Sequence, residues 1–197
     1  MPSGDSVLEE QWKRLRPDLL DAYSTLVEQL KGSTSHQDLL DAYLAAKRLS
    51  AAAYQALLRA NIPDQETAWQ TVRHTLEYEM EREYGHLLPD WARKIPYNSR
   101  THQELFSLLA ERLGQAVPGD YLRVVTADAV HAERRVRELR ELGLPVVSAK
   151  MAETDTYSLR SVEIDKSYIH SIVTNTVKAN RSIPEAEKKH LLSLVRG

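Results

Sequence analysis

Four arginines, Arg134, Arg135, Arg137 and Arg140, crowd the segment HAERRVRELRELG (131–143), interleaved with Glu133, Glu138 and Glu141. A guanidinium is a planar fork of N–H donors, suited to paired acceptors such as guanine O6 and N7. Wound as a helix, the segment puts Ala129, Ala132, Val136, Leu139 and Gly143 on one face, which must be buried. Arg134, Arg137, Glu138 and Glu141 fall opposite, with His131 and Arg135 on one shoulder and Glu133 and Arg140 on the other. Spacing of four links Glu133 to Arg137, Arg134 to Glu138 and Arg137 to Glu141, each pair contributing about 0.2–0.5 kcal/mol on an exposed helix. A self-paired, solvated face is therefore the competing reading. Position favours nucleic acid. His131, Arg134 and Arg135 occupy the N-terminal half, the part of a recognition helix that enters a major groove. These three are expected at base edges, while Arg137 and Arg140 are expected to be taken up by pairing and structure.

No other constellation offers comparable chemistry. Glu83 with His86 and Glu187 with His190 have the Glu-x-x-His spacing of carboxylate-bridged di-iron bundles, but two further well-placed glutamates are missing. The run His74, Glu77, Glu79, Glu81, Glu83 reads as an acidic solvent or partner face. In VEIDK (162–166), Glu163 stands three residues before Lys166 and no carboxylate occupies 164, so the restriction-type Glu-x-Lys pattern fails. There is no Gly-rich phosphate loop and no Gly-x-Ser-x-Gly elbow. No catalytic activity, cofactor or metal is expected.

The elements that must position the arginines are legible from prolines, glycines and periodicity. Pro17 is placed in the first turn of a helix with Leu19, Tyr23, Leu26, Val27 and Leu30 as its apolar stripe, ending at Gly32. Ser35 to Asp38 resembles a capping box opening a second helix to about Ala60, and a third runs from Pro63 to Tyr84. The hexapeptide DLLDAY recurs at 18–23 and 38–43, which two amphipathic helices of one antiparallel hairpin explain without duplication. The stretch 86–99 carries two prolines and is the expected domain boundary. Beyond it come a helix over 99–114, a short segment over 117–127, and a helix over 128–143 capped by Asp128 and stopped by Gly143. Segments 144–150 and 156–161 read as a two-stranded hairpin with MAETD as its tip, and two more helices close the chain.

Helix, short helix, helix and hairpin is the order of a winged helix-turn-helix. Residues 100–161 resemble the winged helix-turn-helix domains of biotin-repressor-like and DeoR-like regulators, through Leu139, Arg140, Gly143, Val146, Val147, Tyr157 and Leu159. Two departures stand out: Thr156 replaces a usual glycine, and the wing tip is acidic. The resemblance implies a double-stranded DNA partner, with Arg123, Thr126, Lys150 and Arg160 as phosphate contacts. The expected fold is mainly α: a helical region at 1–95 for dimerisation or partner docking, a winged helix at 99–162, and trailing helices at 163–197. Transcriptional regulation is the leading functional expectation. A DNA-recognition subunit of a restriction or defence nuclease and a protein-interaction adaptor are the alternatives.

Composition sets the bounds. The 197 residues carry a formal net charge of −2, and their 28 acidic and 26 basic residues are unevenly spread. Residues 1–99 hold 15 acidic and 11 basic groups, residues 100–197 hold 13 and 15, so the C-terminal half is the cationic one. There is no cysteine, hence no disulfide and no thiolate ligand. The start MPSGDSVLEEQWKR lacks an apolar signal region, and a soluble cytoplasmic protein is expected.

Overall fold

A computed structural model describes residues 4–32, 35–61, 66–126 and 132–195. The order is α1 (Gly4–Gly32), α2 (His36–Asn61), α3 (Glu66–Tyr84), α4 (Arg100–Glu111), β1 (Val117–Pro118), α5 (Gly119–Val125), α6 (Ala132–Glu141), β2 (Val146–Met151), β3 (Thr154–Leu159), α7 (Ile169–Ala179) and α8 (Glu185–Val195). The protein is mainly helical, as expected. Its contacts divide it into two compact units, residues 1–63 with 120–132 and residues 64–119 with 133–197.

In the first unit α1 and α2 pair as an antiparallel hairpin, with Tyr23 Oη and Ser50 Oγ 2.8 Å apart. Leu19, Ala42, Ala46, Ala53 and Ala56 are buried, and the small alanines let the two backbones approach closely. Ser35 caps α2, its Oγ accepting from the Asp38 N–H at 3.3 Å. Pro17 does not open α1. It lies inside the helix, which begins a dozen or so residues earlier. An interior proline removes one backbone hydrogen bond, a cost of about 3 kcal/mol. The long contact with α2 supports the helix past that point. The expected α1 stripe is only partly covered: Leu19 is buried and Leu26 half-buried, but Tyr23, Val27 and Leu30 are exposed. Gln55 Nε2 donates to the Val125 carbonyl at 2.6 Å, tying α2 to the end of α5.

The second unit holds the main core. Trp69, Leu76 and Met80 of α3 recur at helical spacing and are sealed, and the Trp69 ring lies 5.3 Å from Phe106 of α4. Residues 86–99, expected to separate domains, lie within this unit, where Leu88, Ala92 and Ile95 are buried. Pro89 and Pro96 flank a short 3-10 turn over Asp90–Arg93, and the apolar residues around them anchor the chain. Glu79 is not solvated: it is 3% exposed and receives Lys166 Nζ at 2.6 Å and Arg82 Nη2 at 2.5 Å. The sheet has three antiparallel strands in the order β1-β3-β2, one more than the expected hairpin. β1 is a two-residue bridge, Val117 opposite Tyr157 and Pro118 opposite Thr156, too short to leave a periodic signal. The β2–β3 turn is also tighter than expected. Pairing continues to Met151 opposite Thr154, leaving Ala152 and Glu153 as the tip with Ala152 at φ 53°.

Candidate nucleic-acid interface

The arginine helix is α6. Ala132, Val136 and Leu139 are all buried at the spacing expected of its inner face. Its end is a complete Schellman cap: Leu144 N–H reaches the Leu139 carbonyl at 3.3 Å and Gly143 N–H the Arg140 carbonyl at 2.8 Å. Gly143 makes this possible with φ 84°, a left-handed conformation that costs a β-carbon residue about 1–2 kcal/mol.

The outer face corrects the helical-wheel expectation. Glu138 is not solvated but 4% exposed, and it is the hub of a buried cluster. Its carboxylate accepts from His102 Nε2 at 2.8 Å, Arg135 Nη1 at 2.8 Å and Arg134 Nε at 3.2 Å. His102 stands in the first turn of α4, 2% exposed, and completes a capping box with Ser99. Its Nδ1 accepts from the Ser99 N–H at 3.3 Å and lies 2.7 Å from Ser99 Oγ. A neutral ring protonated on Nε2 satisfies all these partners at once. Ser99, His102 and Glu138 thus form a hydrogen-bonded chain, but its hydroxyl end is committed to capping a helix. The Tyr97 ring stacks on His102 at 5.6 Å, and its hydroxyl donates to Glu141.

The electrostatics follow from burial. Desolvation holds the His102 pKa below its ordinary 6.5, outweighing the Glu138 hydrogen bond that raises it. Burial pushes the Glu138 carboxyl up, but hydrogen bonds from Arg135 and His102, together with the Arg135 charge, bring it below its ordinary 4.5. Burial first, then the bond to Glu141, raises the Tyr97 phenol. For both His102 and Glu138 the unfolded chain binds protons more readily than the folded one, so acid favours unfolding. The His102 contribution is present above pH 6.5 and fades as pH falls below it; that of Glu138 fades below about 4.5. Urea unfolding at pH 7.5 and pH 5.5 is expected to show wild type weakening, with the difference reduced in His102→Gln. An unchanged difference in that variant would remove His102 as the titrating group.

The structure treats the expected site residues unequally. Arg134 and Arg135 are brought together on Glu138, with side chains 67% and 39% exposed. Arg137, expected to be paired, is exposed and makes no ion pair among the described residues. Arg140 is half-buried and its Nε has no partner among them. Lys150 lies 3.8 Å from Glu153 with its side chain 65% exposed, and Arg160 is exposed. Arg123 and Thr126 belong to the first unit. Arg123 Nη1 lies 3.6 Å from Asp120, and Thr126 is buried with its hydroxyl turned back to the Leu122 carbonyl at 2.9 Å. A buried, internally bonded hydroxyl has nothing to offer a phosphate. His131 and Asp128 lie outside the described residues. Sequence reasoning missed His102 and Tyr97; the available signal was a histidine three residues after a capping serine.

The sequence model of the KpnI N-terminal domain matches residues 102–163, a restriction-enzyme-related domain. The match starts at His102, covers most of α4 and ends beyond β3, so His102, Arg134, Arg135 and Glu138 all fall inside it. No curated protein and no solved structure is a match for the chain. Among the described residues, no helix is long and apolar enough to cross a membrane.

Proposed function

We propose that this protein binds double-stranded DNA as a recognition or accessory component of a restriction-type system, reading the major groove with α6. The observation that carries the reading is the coincidence of the KpnI N-terminal domain match with one particular architecture. Over 100–159 the chain runs helix, strand, helix, helix, strand, strand, with β3 between β1 and β2, which is the order of a winged helix. Arg134 and Arg135 are its base-edge candidates. Arg137, Lys150 and Arg160 are exposed cations for phosphates. The restriction-enzyme relationship supports the restriction-type reading over a stand-alone transcriptional regulator.

Exposed Leu20, Val27, Leu30, Leu40 and Tyr43 on the α1–α2 hairpin support the expected use of this region for dimerisation or partner docking. Selection from a random-sequence duplex pool tests both points. The expected product is an enriched motif whose affinity falls steeply with salt, log K changing by about −0.9 per phosphate neutralised. Dimeric reading gives two half-sites about one helical turn apart. No enrichment and no binding at low salt would sink the proposal.

A further inference from the structure

The Glu138 cluster does more than bury charge, because it dictates which edges of two guanidiniums remain available. Arg134 is held through Nε, so its terminal Nη1 and Nη2 pair is left as an end-on fork. Arg135 is held through Nη1, so the Nε and Nη2 edge is left as a side-on fork. Both side chains reach solvent while their shared anchor is sealed. The anchor is itself fixed from behind by His102, whose ring is locked by Ser99 on one side and stacked by Tyr97 on the other. Free arginines lose rotamer entropy when they bind; these two have already lost much of it.

We infer that Glu138 is a positioning residue that fixes Arg134 and Arg135 as two bidentate donors, and that the ligand they take is the paired O6/N7 acceptor edge of guanine. This rests on the DNA-binding reading of α6. Phosphate oxygens offer a similar acceptor pair, but Arg137, Lys150 and Arg160 are exposed cations available for phosphates without a buried anchor. A carboxylate beside the forks also disfavours a polyanion more than a neutral base edge. Lysine, a point charge without a fork, cannot replace either arginine in this role.

The test uses a duplex selected by the wild-type full chain from a random pool, and the same duplex with 7-deazaguanine, which lacks N7, at each selected guanine in turn. Wild type is expected to lose roughly 5- to 150-fold in affinity at one or two guanines. Glu138→Gln is expected to shrink that loss to near unity while its salt slope stays within about one phosphate of wild type. Arg134→Lys and Arg135→Lys, which leave Glu138 charged and paired, are expected to do the same. A merely structural Glu138 would weaken all duplexes alike and leave the guanine-to-deazaguanine ratio intact. If Glu138→Gln melts at the assay temperature, Glu138→Asp, which keeps the charge but withdraws it by one methylene, reads the same ratio. A wild type that binds the selected duplex but ignores 7-deazaguanine overturns the guanine assignment. One that responds to it, with every Glu138 variant responding equally, overturns the positioning role. A wild type that binds no duplex ends the DNA-binding reading on which both stand.

Discussion

Gly143→Ala is expected to lower the stability of the protein by about 3 kcal/mol, measured as a shift in the urea midpoint with unchanged m-value. Two penalties combine at this position. The backbone sits at φ 84°, where a β-carbon costs about 1–2 kcal/mol. The added carbon would also stand 2.6 Å from the Asp165 carbonyl oxygen and 3.0 Å from Ile164 Cγ2. The first of these is backbone, so relief requires the 164–165 segment to move. That segment is held in turn, since Asp165 N–H donates to the Gly143 carbonyl at 2.9 Å. Gly143 therefore does two jobs. It closes α6 with its Schellman cap and docks the chain after β3 against the end of the arginine helix. A variant with wild-type stability would show that the helix end yields more freely than this packing allows. Gly114, also at positive φ but with open space around its missing β-carbon, is the natural comparison. Gly114→Ala is expected to cost only the conformational part.

Local chemistry made the arginine helix readable. Ala132, Val136 and Leu139 repeat at the period of a helix, and a glycine at the end of such a run stops it for reasons internal to the segment. The β2–β3 hairpin was equally visible, because β-branched and apolar residues flank a short polar tip. What escaped was everything that depends on a second element. The charge pairing of α6 was assigned from spacing alone, which found the Arg134–Glu138 pair but put it on a solvated face. Residues 97–102 cover that flank of the helix, and no periodicity within 131–143 can report a histidine arriving from α4. Glu79 was misread in the same way, since its partner Lys166 lies far along the chain. Pro17 shows the reverse case, a strong local signal overridden by the long helical contact around it. Carboxylates are where single-segment reading is weakest. Their burial depends entirely on whether distant donors converge on them.

Replacing both Arg134 and Arg135 by alanine is expected to weaken binding of the selected duplex by about 3 kcal/mol, roughly 150-fold, and to flatten sequence preference. Each bidentate contact discriminates by about 1–3 kcal/mol, and the two do not add fully because they share one anchor. The same change strips Glu138 of two of its three partners and leaves its carboxylate buried against His102 alone. Breaking a buried pair on one side is destabilising in itself, so lost binding could reflect lost folding. The triple variant Arg134→Ala/Arg135→Ala/Glu138→Gln separates the two effects. With the charge removed along with its partners, the melting temperature is expected to recover toward wild type while binding stays lost. Arg137→Ala supplies the opposing control, because Arg137 is exposed and unpaired among the described residues. If it contacts phosphate, its removal weakens all duplexes about equally and reduces the salt slope by about one. Loss of sequence preference in Arg137→Ala, with preference retained in the Arg134/Arg135 double variant, would mean that the helix reads with its free arginine. Glu138 would then hold its two neighbours out of the groove rather than aim them into it.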